Sequence, residues 1–130
     1  MEDYRKVLDL GLKYYEEGLA LFRIHPWNAC EKVWGGIWNS TRALLKRMGL
    51  AEEPPKGITW RSYLEEVFMK YGLGKDEARD MAGIFIDARK KLHGACFYGG
   101  LYEEGEDDVM ARTICKKYIL KICELLKRKP

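Results

Sequence analysis

Between Tyr4 and Phe22 the residues Tyr4, Leu8, Gly11, Tyr15, Gly18 and Phe22 recur at alternating steps of four and three, the spacing of one face of an α-helix. A stripe of that period is stable only when it is buried against another helix, so the chain must build its core from packed helices. No strand signal competes, because β-branched residues are sparse and no two-residue alternation persists beyond a few positions.

The same period runs through the rest of the chain. His25-Pro26 stops helix one, and the proline suits the first turn of a second helix over 26–48. Its stripe is Trp27, Cys30, Trp34, Ile37, Thr41, Leu44 and Met48, and Gly49 is its stop. The two helices form an antiparallel hairpin. Leu50 to Ile58, with Pro54-Pro55 and Gly57, reads as a loop, and Thr59 as the N-cap of a short third helix ending at Gly72. Helix four is predicted over 76–98 with Met81, Phe85, Ala88, Leu92 and Ala95 inward. Helix five follows over 107–127 with Ala111, Cys115, Tyr118, Ile122 and Leu125 inward. Asp107 and Asp108 at its start and Lys127, Arg128 and Lys129 at its end suit the helix dipole. The fold class is all-α: an antiparallel bundle of four long helices and one short one. Helices one and two look like a tetratricopeptide hairpin, but nothing later repeats that period.

At 130 residues there is room for one domain, 1–130. With 47% hydrophobic and 33% charged residues the chain is expected to fold, and a net charge of +3 is too small to imply nucleic-acid or membrane binding by itself. No stretch approaches 18 apolar residues, and the charged start MEDYRK lacks the apolar region of a secretory signal, so a cytoplasmic location is expected. There is no glutamine and only Asn28 and Asn39, which with abundant charge is a thermophile trend. That bears on Cys30, Cys96, Cys115 and Cys123, since thermophile cytosols are an exception to the rule that intracellular thiols stay reduced. Cys115 and Cys123 lie on one helix about 12 Å apart at 1.5 Å per residue, too far to bridge. All four fall on apolar faces and are expected as small buried hydrophobes.

Two histidines, no C-x-x-C and no H-E-x-x-H argue against a zinc site, and no metal or cofactor is expected. There is no P-loop, and neither Ser40 nor Ser62 has a histidine nearby in sequence. Two segments carry the candidate chemistry. Helix four has a second stripe, Ala82, Ile86, Arg89, His93 and Phe97, on which Arg89 and His93 are four apart and neighbours. A guanidinium fork beside a titratable imidazole suits a phosphate. Equally, Arg89 could pair with an acid and His93 could pack or cap. On helix two, Glu31, Gly35, Trp38 and Arg42 edge the tryptophan stripe, which places Glu31 at a partly buried boundary where it needs a partner. Gly35-Gly36 in mid-helix costs about 1 kcal/mol per glycine and implies close approach of a helix or ligand. The tryptophans could be core, could stack nucleobases, or could line a small-ligand pocket of Trp27, Trp34 and Trp38.

These segments also carry a resemblance. Ala29-Cys30-Glu31-Lys32-Val33-Trp34-Gly35-Gly36, after Tyr15-Glu16-Glu17-Gly18, together with Leu92-His93-Gly94-Ala95-Cys96-Phe97-Tyr98-Gly99-Gly100, resembles the archaeal PaREP family of small helical proteins, which is similar to the wider HEPN superfamily. The resemblance implies a HEPN-like bundle, commonly a homodimer, in a superfamily of metal-independent ribonucleases and nucleotide- or RNA-binding proteins. In its nuclease members an arginine and a histidine with four to six residues between them act across the dimer. Here three residues separate Arg89 from His93, a departure that weakens the expectation of cleavage more than that of binding.

Two functions follow as expectations. The first is a homodimer that binds RNA or a nucleotide, with Arg89 and His93 as the catalytic candidates and Glu31, Trp34, Trp38, Arg42, Phe97 and Tyr98 as ligand contacts. The second is a non-catalytic interaction module using the same faces. Convergence of Glu31, Arg89 and His93 in an open cleft separates the first from the second.

Overall fold

The computed structural model describes residues 3–128, and Met1, Glu2, Lys129 and Pro130 lie outside them. The proposed contribution of Lys129 to the last helix therefore falls outside the described residues. Among those residues there is no strand, and the elements are α1 (Tyr4–Leu21), α2 (Pro26–Arg47), α3 (Trp60–Lys70), α4 (Lys75–Ala88), a π-helical segment (Arg89–Tyr98), α5 (Asp107–Arg112) and α6 (Ile114–Lys127). No helix among them is long and apolar enough to cross a membrane.

Local chemistry sets the helix starts. Asp3 caps α1 through Oδ1, which accepts from the Arg5 amide at 2.9 Å. Pro26 occupies the first turn of α2, and Thr59 caps α3 by accepting from the Ser62 amide at 3.1 Å. Helices α1 and α2 form the expected hairpin, and its closeness depends on glycine. A Cβ built on Gly36 would lie 2.8 Å from Tyr15 Cβ, and one on Gly18 would lie 2.8 Å from Val33 Cγ2. The cost of glycine in mid-helix is thus offset by backbone contact that no larger residue permits.

Helix α2 is the hub, touching α1, α4, α5, α6 and the π-helical segment. Of its inward stripe Cys30, Ile37, Thr41 and Leu44 are buried and Trp34 is half-buried, whereas the stripe's ends, Trp27 and Met48, are exposed. The stripe predicted for the last helix is fully buried at Ala111, Cys115, Tyr118, Ile122 and Leu125. The buried hydroxyls of Thr41 and Tyr118 meet at 2.6 Å, and Tyr15 donates to the Ala111 carbonyl at 2.7 Å. These two bonds join α2 to α6 and α1 to α5, and satisfy phenols that would otherwise be costly to bury.

Two predicted helices differ in form. Helix five breaks at Thr113, whose backbone (φ −115°, ψ −77°) leaves helical values and whose hydroxyl donates to the Val109 carbonyl at 2.7 Å. Such back-bonding offers the chain an alternative to the regular ladder. Helix four continues past Ala88, but as π-helix to Tyr98, closed by the Gly99 amide on the Gly94 carbonyl at 2.8 Å. An i→i+5 ladder takes one more residue per turn than helical spacing assumes. Leu92 is buried as expected; at the next inward place Cys96 is buried and Ala95, expected there, is exposed.

Candidate functional site

The π-helical segment brings the chemistry together. In the π-helical segment the neighbour of His93 along the axis is Tyr98, five residues on, and their rings meet edge to face at 5.0 Å. On its other side His93 faces α2. Its Nδ1 lies 2.7 Å from Glu31 Oε1 and 3.1 Å from Oε2, and its ring lies 5.6 Å from that of Trp34. A carboxylate only accepts, so Nδ1 carries the proton and Nε2 is left to act on a ligand, as acceptor when the ring is neutral and as donor when it is charged. Both side chains are about one-third exposed, at 33% and 29%, so the pair sits at the mouth of a cleft and not inside the core. The partner that Glu31 needed is His93.

The cleft holds about 520 Å³ and is lined by Tyr14, Glu31, Lys32, Trp34, Gly35, Trp38, Trp60, Phe85, Arg89 and His93. That is within the range of small-molecule sites. Its floor is aromatic. Trp34 and Trp38 lie nearly parallel with centroids 6.5 Å apart, and Phe85 and Trp60 pack against them at 5.2 and 5.5 Å. Cations stand at the rim. Lys32 pairs with Glu17 at 3.3 Å and lies over the Tyr14 ring. Arg89 is exposed and makes no ion pair or hydrogen bond among the described residues, which leaves its donor fork free.

Of the eight residues singled out in the sequence, Glu31, Trp34, Trp38, Arg89 and His93 converge here, and three do not line the cleft. Arg42 is bonded to Glu52 at 3.1 Å and to the Asn39 side-chain oxygen at 2.9 Å. Phe97 packs on Tyr98 at 5.0 Å, and Tyr98 backs His93 from outside the cleft. Trp27 is also elsewhere, donating to the Gly100 carbonyl at 3.0 Å. Tyr14, Lys32, Trp60 and Phe85 were missed. Phe85 was assigned to the core stripe, which it also serves, and Trp60 gave no signal beyond being an aromatic in the first turn of a short helix.

Beneath the cleft, Cys30 and Cys96 are joined as a disulfide with Cα atoms 6.3 Å apart. Both are fully buried, as expected, but as a bonded pair rather than as small buried hydrophobes alone. Cys96, four residues after the buried Leu92, shares its inward face and meets Cys30 there. Cys115 and Cys123 are free, and burial pushes the Cys115 thiol up to about 12. The buried Asp107 carboxylate lies within 4.8 Å of the bridged sulfurs and accepts from the Glu103 amide at 2.9 Å.

No family model matches the chain, and neither a curated protein nor a solved structure matches it.

Proposed function

We propose that this chain is a HEPN-like helical protein that binds RNA or a nucleotide, acting as a homodimer. The observation that carries the reading is the convergence of an unpaired Arg89 and a carboxylate-oriented His93 on an aromatic cleft. A nucleotide has two parts to satisfy, a flat apolar base and a charged phosphate. Trp34, Trp38 and Trp60 offer stacking faces, and each stacked base contributes about 1–3 kcal/mol. Arg89 supplies a planar fork for phosphate, and His93 Nε2 a second contact at the same end.

Binding does not require cleavage. Cleavage would use the same groups: His93 takes the proton of a ribose 2′-hydroxyl, the oxygen attacks the adjacent phosphorus while Arg89 balances the charge that develops there, and the P–O5′ bond breaks, the departing 5′-oxygen taking a proton from the charged His93 or water and leaving a 2′,3′-cyclic phosphate. The interaction-module alternative needs Glu31, Arg89 and His93 spread across a dry interface, and their common cleft favours a ligand instead.

Titration of the tryptophan fluorescence with nucleoside monophosphates and with short single-stranded RNA, in EDTA, tests binding. Quenching that saturates, and that Arg89→Ala weakens, is expected. No saturable change with any of them overturns the reading. Incubation with mixed RNA, with His93→Ala as control, decides cleavage, and the mass in light scattering decides the dimer.

A further inference from the structure

Cys30 directly precedes Glu31, and Cys96 lies three residues after His93. The disulfide therefore joins α2 to the π-helical segment within one turn of both members of the pair. Besides this bond, the segment is tied to α2 by the Glu31–His93 contact and continues directly from α4. Of its ten residues only Leu92 and Cys96 are buried. π-helical turns are rare and persist where the surroundings impose them. Without the bond, Leu92 is the segment's remaining buried anchor.

We propose that the Cys30–Cys96 disulfide is the positioning element of the cleft, holding His93 on Glu31, and that its reduction releases the segment while the helices around it stay folded. The cleft is then competent in the oxidised protein and disabled in the reduced one. The binding consequence rests on the nucleotide reading above, whereas the placement of His93 does not.

The reductant is a dithiol. One of its thiolates attacks a cysteine Sγ, the Sγ–Sγ bond breaks, and the departing cysteine takes a proton. The second thiol of the reductant then attacks the mixed disulfide, releasing the other cysteine as a thiol and leaving the reductant as a cyclic disulfide. Both sulfurs are fully buried, so exchange waits for the segment to open, and the bond resists brief exposure to reductant.

The tautomer of His93 reads the placement directly. Long-range ¹H–¹⁵N spectra of the full chain at pH 9, alkaline of the ordinary histidine range, distinguish Nδ1–H from Nε2–H, with His25 as internal reference. Oxidised protein is expected to show His93 as Nδ1–H, and Glu31→Ala as Nε2–H. Prolonged dithiothreitol is expected to move His93 to the Glu31→Ala pattern, with helix content by circular dichroism unchanged. Nucleotide affinity is expected to fall about tenfold, as when the competent arrangement is left one-tenth populated. The double variant Cys30→Ala, Cys96→Ala should reproduce this without reductant. A His93 tautomer unchanged in reduced protein overturns the proposal, as does loss of helix throughout the chain, which would make the bond a support of the whole fold. A tautomer that switches in a protein that binds no nucleotide even when oxidised upholds the positioning role and overturns the nucleotide reading.

Discussion

Glu31 Oε1 lies 2.7 Å from His93 Nδ1 across 62 positions of sequence, and everything that makes the cleft more than an aromatic hollow follows from that contact. It sets which ring nitrogen faces a ligand and ties α2 to the segment bearing Arg89. Truncating Arg89 removes a charge-assisted bond to phosphate, so Arg89→Ala should weaken nucleotide binding by about 1.5–3 kcal/mol. Trp34→Ala should cost about 1–3 kcal/mol through the base. Calorimetric titration of the two variants separates the ends of the ligand: Arg89→Ala should lose the preference for nucleotide over nucleoside, and Trp34→Ala should keep it. Equal loss of both ligands in the two variants would contradict the assignment of ends.

The faces of α1, α2 and α6 were legible in the sequence because each keeps one period along its length. Thr41, for example, was placed inward from spacing alone and is fully buried. Glu31 was legible as a carboxylate in need of a partner, and Arg89 and His93 as neighbours. The identity of the partner was not, because it depends on the register between α2 and a segment whose period changes at Arg89. That change put Tyr98 beside His93 in place of Phe97. Spacing arguments assume one helical pitch, and nothing local in Arg89-Lys90-Lys91-Leu92 announces another. Trp60 was illegible for a different reason. It enters the cleft through the packing of a short helix, which sequence period does not report.

The closeness of α1 and α2 gives a sharp contrast between adjacent glycines. At Gly36 an added methyl meets Tyr15 Cβ at 2.8 Å and the Gly11 carbonyl at 3.0 Å, both held by the backbone. At Gly35 it meets the Tyr14 ring at 3.1 Å, which can turn aside. Gly36→Ala should therefore destabilise by about 1–3 kcal/mol, the usual cost of overpacking. Gly35→Ala should be near neutral, because the gain of up to about 1 kcal/mol in helix propensity offsets the contact. Urea denaturation of the two variants checks the order, and equal midpoints would contradict it.

Alkaline pH should unfold the chain earlier than its tyrosine content alone suggests. Burial pushes the phenols of Tyr15 and Tyr71 and the thiol of Cys115 up to about 12. The folded state thus keeps protons that the unfolded chain releases near pH 9–10. The associated stability is complete below that range and falls as pH rises from about 9 to about 12. Melting temperatures from pH 8 to 11 should drop progressively, and Tyr15→Phe should flatten the slope while lowering the value at pH 8. A flat profile to pH 11 in the parent protein would contradict the assignment.

The buried hydroxyl pair yields an asymmetry that depends on which oxygen donates. Thr41 Oγ1 lies 2.7 Å from the Ile37 carbonyl and 2.6 Å from the Tyr118 hydroxyl. A threonine hydroxyl has one proton, and the carbonyl can only accept, so Thr41 donates to Ile37 and Tyr118 donates to Thr41. Tyr118→Phe removes a donor and its bond together, leaving Thr41 still bonded to Ile37, and should cost about 1 kcal/mol. Thr41→Val keeps the volume but leaves the Tyr118 hydroxyl buried with no acceptor, and should cost more, about 1–3 kcal/mol. The double variant removes the orphan and should lie closer to Tyr118→Phe than to the sum of the two. Denaturant midpoints for the four proteins complete the cycle, and a Thr41→Val no costlier than Tyr118→Phe would reverse the donor assignment.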